Sequence, residues 1–328
     1  MLLSLGAVVA SSTRAGAGCG MPAPSAKAEK TWAVLTGGRE YPGVRFGKHE
    51  TCGRCDEEAA EGLLGAMNVT RISPTDRNDF YETMLIGTDG SCRFSDGMEV
   101  GALHNPAPVS RCSRGMLYVD QVSAKELHVL YPELQDNTLQ DAQMLDDANT
   151  LSKVQTASRG FMIASHVIEH MPRTLAAIEA WLRVLRPSGL ALITAPFKCV
   201  TFDEWRPVTE WKHFAHDHRE EASPTRVDRM WHEHLPEWVL SHLAAVAPGA
   251  PGGDTTTLVQ YNRTFESFRH QLLSGEFKQR GGMHFHTWTK RSWAAFWRNA
   301  QQALTQPFAV THIGYHGMDM YAVLQKMQ

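Results

Sequence analysis

The sequence of 328 residues predicts an α/β protein in which most strands of one sheet run parallel. From residue 97 onward, short apolar runs typical of buried strands alternate with helical patterns, as parallel sheets require. The clearest unit lies between Phe161 and Pro196. There an apolar strand, an amphipathic helix and a second apolar strand follow one another, and a Pro-Ser-Gly turn ends the helix.

Composition and charge narrow the class of protein. Hydrophobic residues make up 43% of the chain, which is enough to bury a core. The net charge of -3 provides no electrostatic surface for nucleic acid. No apolar run reaches the ~20 residues of a membrane-spanning helix. We therefore expect a globular protein with no nucleic-acid partner and no membrane span, and the sequence carries no signal for its oligomeric state.

The chain divides into three parts by composition. Residues 1–30 are rich in Ala, Gly, Ser and Pro, which predicts a leader or a disordered N-terminus. Residues 31–96 form an N-terminal extension, and residues 97–328 form the main domain with a cap or insertion at about 198–286. A targeting segment would send the protein to an organelle, and without one we expect a cytoplasmic protein. Both compartments stay open.

The six cysteines are spread along the chain, and only Cys52 and Cys55 form a C-x-x-C pair. One such pair is half of a zinc site or a redox motif, and no second pair follows it. The spacing therefore favours structural or incidental thiols over a metal or redox role.

Apolar periodicity and capping residues give bounds for the regular elements. Strands are expected at 98–101, 116–119, 138–144, 161–164, 190–194, 308–315 and 320–325, of which the third is the weakest. We expect the last two strands to pair antiparallel. Helices are expected at 56–67, 123–131, 175–185 and 287–304, with Ser123 and Thr289 as N-caps.

Polar residues follow several of these strands. Gly101 can adopt the positive φ of a tight turn, and Asn105 is among the few other residues that tolerate it. Asp120 comes about 20 residues after Gly101, the spacing at which an acid binds ribose hydroxyls in nucleotide-binding α/β folds. Ser165 and His166 follow a third strand. Because ligands bind at the carboxyl edge of a parallel sheet, we expect these residues to share one site.

Four segments together resemble class I S-adenosylmethionine-dependent methyltransferases, in the group often called methyltransferase type 11. They are MEVGALHNP at 98–106, YVD at 118–120, LDDANTL at 145–151, and FMIASHVIEHM with the LRPSG turn at 161–189. The resemblance covers roughly 97–215 and 283–325. It implies a Rossmann-like, seven-stranded, mostly parallel sheet with an antiparallel closing strand and a cap insertion. It also implies S-adenosyl-L-methionine as cofactor and a small-molecule acceptor methylated at O, N or S.

By the same resemblance, the cofactor site consists of Glu99, Gly101, Ala102, Asn105, Asp120, Asp146 and Ser165. Asp120 would bind the ribose, and Asp146 or Asp147 the adenine amino group, with Asp146 preferred. The alternative for that pair is a helix N-cap role. Leu103 stands where the family usually has its second glycine, and Gly160 stands where it usually has an acid.

His166 and His170 are the candidate catalytic residues. Histidine titrates near neutrality and could take a proton from an acceptor hydroxyl or amine. Some members of the family need no base and mainly align the nucleophile with the methyl group, so an orienting role is the alternative.

The insert supplies the candidate substrate residues Phe202, Arg206 and His213, which resemble a recurring pattern in the same methyltransferase group. The fork of Arg206 suits an acceptor carboxylate or phosphate, and a salt bridge inside the cap is the alternative. This part of the chain is rich in His and Asp, yet it has no H-E-x-x-H and no compact ligand triad. No metal site is therefore predicted.

Two other classes of function compete with the methyltransferase. Leu103 and Gly160 suggest a catalytically inactive relative that keeps the fold as a binding or scaffold protein. A nicotinamide dehydrogenase shares the acid spacing, but it needs G-x-G-x-x-G, which the segment Gly-Ala-Leu-His-Asn-Pro does not supply. The methyltransferase is the leading prediction.

Overall fold

The computed structural model describes residues 54–109, 112, 115–131, 134–201, 203, 206, 208–219 and 284–328. The predicted leader, Cys52, Phe202 and most of the predicted cap lie outside these residues. Within them, strands and helices alternate as the sequence predicts.

One sheet of eight strands organises the described residues. The strands are β1 (Thr70–Ile72), β2 (Gly97–Val100), β3 (Leu117–Asp120), β4 (Met144–Leu145), β5 (Arg159–Ser165), β6 (Leu185–Pro196), β7 (Phe308–His316) and β8 (Asp319–Lys326). Their order across the sheet is β1-β7-β8-β6-β5-β2-β3-β4. Among these strands only β8 runs antiparallel to its neighbours, which confirms the mostly parallel, Rossmann-like sheet with an antiparallel closing strand.

β1 is an eighth strand in addition to the seven expected. It comes from the segment predicted as an N-terminal extension and pairs in parallel with β7 at the edge of the sheet. At the opposite edge, the strand expected at 138–144 is wrong for all but its last residue, because β4 comprises only Met144 and Leu145. The Gln143 side chain accepts a hydrogen bond from the Tyr118 N–H at 2.7 Å, and the Gln143 backbone N–H donates to the Tyr118 carbonyl at 3.0 Å.

Helices flank the sheet on both faces. In the described residues they are α1 (Arg54–Met67), α2 (Arg77–Leu85), α3 (Ala124–Leu130), α4 (Thr174–Val184), α5 (Trp211–Arg219) and α6 (Lys290–Ala303), with short 3₁₀ turns at Ile168–His170 and Lys198–Val200. Both predicted N-caps are confirmed. Ser123 forms a capping box at the start of α3, and Thr289 forms one at the start of α6.

Apolar side chains cover both faces of the sheet and make its edge a rigid support. On one face α4 and α6 bury three tryptophans, Trp181, Trp293 and Trp297. On the other face α2 buries Phe80, whose ring centroid lies 4.6 Å from that of Tyr321 in β8. Burying a large apolar side chain contributes about 1.5–3 kcal/mol, so the strands are held more firmly than the loops that follow them.

Gly160, in β5, has a packing reason for lacking a side chain. A Cβ at this position would lie 2.8 Å from Cδ1 of Phe94 and from Oδ1 of Asp96. The acid that the family usually has at this position would therefore not fit. The departure at Gly160 follows from local packing and carries no information about activity.

A disulfide, which the sequence analysis did not predict, joins Cys92 to Cys112. The two Cα atoms are 5.1 Å apart, and the closed loop contains β2 and the turn that follows it. Such a cross-link restricts the unfolded chain and stabilises the fold.

Candidate active site at the carboxyl edge of the sheet

The register of the strands places several of the predicted cofactor residues side by side at the carboxyl edge of the sheet. Val100 ends β2, and its partners on β3 and β5 lie beside it. The residues that follow Val100 and these two partners are Gly101, Asp120 and Ser165, which are therefore neighbours across the edge. Asp120 also pairs with the last residue of β4, which directly precedes Asp146.

The turn after β2 has a left-handed backbone. Gly101 has a φ of 64° and Leu103 a φ of 52°. The Asn105 N–H closes the turn on the Ala102 carbonyl at 3.1 Å. Leu103 thus adopts a conformation suited to glycine, at a cost of roughly 1–2 kcal/mol. The turn keeps a glycine-like path although the family's second glycine is absent.

Glu99 secures the far end of this turn. Its side chain is buried, and Oε2 accepts a hydrogen bond from the Ala107 N–H at 3.0 Å. Burial raises the pKa of Glu99 to about 7, against the opposing effects of the Ala107 N–H and the charge of Arg77. Glu99 therefore shapes the predicted cofactor turn, and its direct contact with the cofactor stays a prediction.

Asp120 lies at the end of β3, half-buried at the edge of the sheet. Its Oδ1 accepts a hydrogen bond from the Gln121 N–H at 2.7 Å. Burial raises the pKa of Asp120 above its ordinary range, although the backbone N–H groups of the next two residues act in the opposite direction. Further hydrogen bonds donated by a ligand would stabilise the charged form of this partly buried carboxylate.

Asp146, the residue preferred for adenine, is engaged by its own loop. Its carboxylate accepts from the N–H groups of Asp147 and Lys153 at 2.9 and 2.7 Å and from the Ser152 hydroxyl at 3.1 Å. Asp147 is exposed, and one of its oxygens accepts two hydrogen bonds from Asn149. The Asp146 carboxylate is thus occupied by its own loop, and Asp147 is the more accessible acid. No helix begins in the segment 146–158, so the structure does not support the helix N-cap alternative.

Arg77, at the start of α2, is a residue of this edge that the sequence analysis missed. Its guanidinium donates to Ser165 Oγ at 3.2 Å and to the Asn105 carbonyl at 2.8 Å. Its charge also acts on Glu99. The partners of Arg77 are distant in sequence and no local motif marks it, so pattern reasoning had no signal for this contact.

His166 follows β5 in a left-handed conformation, with a φ of 54°. Its Nε2 lies 2.8 Å from Asp319 Oδ1, and its Nδ1 lies 3.5 Å from Glu169 Oε1. Burial disfavours the charged ring, but these two carboxylates outweigh that effect and raise the pKa of His166 to about 10. The raised pKa favours a charged ring at neutral pH, with Nε2 donating to Asp319 and Nδ1 facing Glu169.

Glu169 is the acid at the centre of a group of histidines. Its side chain is 0% exposed, and its Oε1 lies 3.8 Å from His170 Nε2 and 4.0 Å from His284 Nε2. Neither carboxylate oxygen of Glu169 makes a hydrogen bond to a described residue. Burial pushes the pKa of Glu169 upward, but the neighbouring histidines outweigh it and hold the pKa below its ordinary value.

His284 is held from its other side by Asp203. The Asp203 Oδ2 lies 2.5 Å from His284 Nδ1, and Arg206 donates to Asp203 Oδ1 at 2.9 Å. Arg206 is buried and also donates to the Phe285 carbonyl at 3.4 Å. This is the salt bridge that stood as the alternative for Arg206, and its contact with a substrate stays a prediction.

A second cluster forms around Asp217 of α5. His213 Nε2 lies 2.9 Å and His286 Nε2 lies 3.8 Å from Asp217 Oδ2. Burial lowers the pKa of His286 to about 4, although Asp217 acts in the opposite direction. His213 therefore pairs with an acid of its own helix, and its predicted contact with the acceptor stays a prediction.

No protein-family model matches this sequence, and no curated protein matches it. Solved structures of S-adenosylmethionine-dependent methyltransferases are similar to it. One from Aquifex aeolicus has 9% identity and a TM-score of 0.36, with 82% of this chain and 98% of that chain covered. One from Methanosarcina mazei has 12% identity and a TM-score of 0.34, with 73% and 96% covered. Likeness at this level carries no argument about this chain, and its Rossmann-like sheet is shown by its own strand order.

None of the described helices combines the length and the apolar character needed to span a bilayer.

Proposed function

We propose that the protein is an S-adenosylmethionine-dependent methyltransferase that acts on an O, N or S nucleophile of a small molecule. The main support is that Gly101, Asp120 and Ser165 lie side by side at the carboxyl edge of the sheet. Gly101 belongs to the turn after β2, whose backbone is left-handed. Parallel α/β sheets bind nucleotides at such an edge.

The residues at this edge fit the parts of the cofactor. A Cβ on Gly101 would lie 3.1 Å from Val167, so a side chain there would crowd the turn. The Asp120 carboxylate suits ribose hydroxyls, Asp147 suits the adenine amino group, and the fork of Arg77 suits a carboxylate. When bound, S-adenosylmethionine supplies a methyl group on a positively charged sulfur.

The two candidate catalytic histidines take different roles in this proposal. His166 donates to Asp319 and faces Glu169, so its charged ring orients groups at the edge and does not accept a proton. The side chain of His170 is 24% exposed. In this proposal His170 keeps the predicted role of accepting a proton from the acceptor.

The presence of Leu103 in the turn after β2 favours the alternative function, that of a catalytically inactive relative of the methyltransferases. Its side chain occupies the turn at a position where the family usually has none. Such a protein would bind the nucleoside or a partner without transferring a methyl group.

Calorimetric titration of the full chain with S-adenosylhomocysteine tests the cofactor site. Asp120→Ala should weaken binding about 10-fold or more, because a hydrogen bond to a charged group contributes ~1.5–3 kcal/mol. Asp136→Ala, at an exposed acid, is the matched control and should bind as the wild type does. Unchanged affinity in a folded Asp120→Ala variant would remove Asp120 from the site.

A screen of acceptors with a labelled methyl donor tests the reaction itself. Transfer to a small molecule supports the enzyme, and the product identifies the nucleophile. Binding of S-adenosylhomocysteine without transfer to any acceptor class would favour the inactive relative.

A further inference from the structure

We propose that Glu169, His170 and His284 bind a divalent metal ion of the zinc type beside the candidate active site. Their three ligand atoms lie within 4.8 Å of one another. Zinc holds nitrogen and oxygen ligands at about 2.0–2.2 Å, which places tetrahedral ligand atoms about 3.3–3.6 Å apart. The observed separations of 3.8 and 4.0 Å from Glu169 Oε1 to the two rings need only small side-chain rotations to reach that geometry.

The Glu169 carboxylate faces three imidazole nitrogens at 3.5 to 4.0 Å without a hydrogen bond to any of them. Its side chain is fully buried, and neither oxygen makes a hydrogen bond to a described residue. Burying a carboxylate without direct partners is costly, and native proteins pair such groups or coordinate them to metals. Of these three imidazole nitrogens, His166 Nδ1 is the nearest at 3.5 Å, which is too long for a good hydrogen bond. A cation between Glu169 and the two rings would satisfy this acid.

His284 has the orientation of a metal ligand. Asp203 accepts from its Nδ1 at 2.5 Å, so the opposite nitrogen, Nε2, points toward Glu169. Metal-binding histidines commonly donate their other N–H to a carboxylate, which fixes the tautomer and the direction of the ring. Arg206 pairs with the second oxygen of Asp203 and holds that carboxylate in place.

The donor set selects the kind of ion. Two imidazoles and one carboxylate suit zinc in open, catalytic sites and also iron(II), whereas magnesium and calcium prefer oxygen donors. Open catalytic zinc sites have three protein ligands, and in such a site a hydroxyl or carboxylate oxygen of the acceptor can take the fourth position. This role in acceptor binding rests on the proposed function, whereas metal binding itself does not. Ligation would withdraw His170 from proton transfer.

Equilibrium dialysis of the chelator-treated full chain against Zn²⁺, followed by elemental analysis, tests the site. The wild type should bind one ion per chain. Glu169→Gln and His284→Ala should each weaken binding by more than about 100-fold, and Asp203→Asn, which keeps all three ligands, by about 10- to 100-fold. His316→Ala, at an exposed histidine, is the control and should leave binding unchanged.

The cluster of His213, Asp217 and His286 offers the same donor types and must be separated from this one. Loss of the ion in His213→Ala together with its retention in Glu169→Gln and His284→Ala would overturn the proposal. If the wild type binds no Zn²⁺, the proposal is overturned equally. Glu169, His170 and His284 would then interact only through their charges and hydrogen bonds.

Melting curves show whether each variant folds. If the substitutions unfold the chain, X-ray absorption of the zinc-loaded wild type tests the proposal instead. The zinc coordination shell must then contain two imidazole nitrogens and one carboxylate oxygen. A zinc shell without imidazole would overturn it. Titration of the metal-free chain with S-adenosylhomocysteine is a separate readout, so failure of the metal site and failure of the cofactor site are distinguishable.

Discussion

His166 and Asp319 meet across the sheet, with Nε2 of the ring 2.8 Å from Oδ1 of the carboxylate. The contact exists because β8 runs antiparallel, so its first residue lies at the edge where β5 and β6 end. The His166 backbone N–H also donates to the Thr194 carbonyl at 2.9 Å. Ring and backbone are thus fixed by two different strands.

Asp319→Asn should lower methyl transfer more than cofactor affinity. Asparagine keeps the shape of the side chain but removes the charge that orients the His166 ring, and misplacement at a reacting site can cost roughly 10- to 100-fold in rate. Turnover and S-adenosylhomocysteine affinity should be measured together, with Asp136→Asn as the control. Equal losses in both quantities would make the pair purely structural.

Replacing Leu103 isolates the strain in the turn after β2. Leu103→Gly and Leu103→Ala both remove the side chain beyond Cβ, and they differ only in the cost of a Cβ at a φ of 52°. The glycine variant should be more stable to denaturant than the alanine variant by about 1 kcal/mol. Equal stabilities would mean that the left-handed turn is not retained in solution.

Glu99 should make stability fall as pH rises. Its folded pKa of about 7 exceeds its ordinary value of 4.5, so between these two values the folded state holds a proton that the unfolded state releases. The contribution of Glu99 to the free energy of unfolding is fully present below pH 4.5 and is lost as pH rises through 7. The total loss is up to about 3 kcal/mol.

The measurement compares the free energy of unfolding of the wild type and of Glu99→Gln across this pH range. Other groups contribute to both curves, so the difference between the curves reports Glu99. A difference independent of pH would show that folding does not raise the pKa of the Glu99 carboxyl.

The Cys92–Cys112 disulfide should contribute about 3 kcal/mol to stability, as cross-links closing loops of this size do. A double variant, Cys92→Ser with Cys112→Ser, should lose about this amount in denaturant titration under non-reducing conditions. Because the closed loop carries the turn proposed to bind the cofactor, S-adenosylhomocysteine affinity should fall as well. Unaltered stability would show that the two thiols are not joined in the folded protein.

The sequence predicts local features of this fold well. The strand, helix and strand between Phe161 and Pro196, and the caps Ser123 and Thr289, depend on residues a few positions apart. Periodicity and hydrogen-bonding preference are sufficient there. The short β1 escaped this reasoning because three residues carry too little alternation to mark a strand.

The site is harder to predict because its contacts join distant segments. The Asp203–His284 contact spans 81 residues and the Arg77–Ser165 contact spans 88. Spacing could not bring Glu169, His170 and His284 together, because the first two follow β5 while His284 precedes α6. The preference for Asp146 over Asp147 depended on side-chain direction, which a pattern of two adjacent acids does not contain.

The position of β8 has a consequence for synthesis of the protein. It follows all other described strands in sequence, yet it lies between β6 and β7, and it is the link through which β7 and β1 join the rest of the sheet. A nascent chain on the ribosome would therefore hold two separate pieces of sheet until β8 emerges. Until then, the edges of β6 and β7 that pair with β8 present unpaired backbone groups.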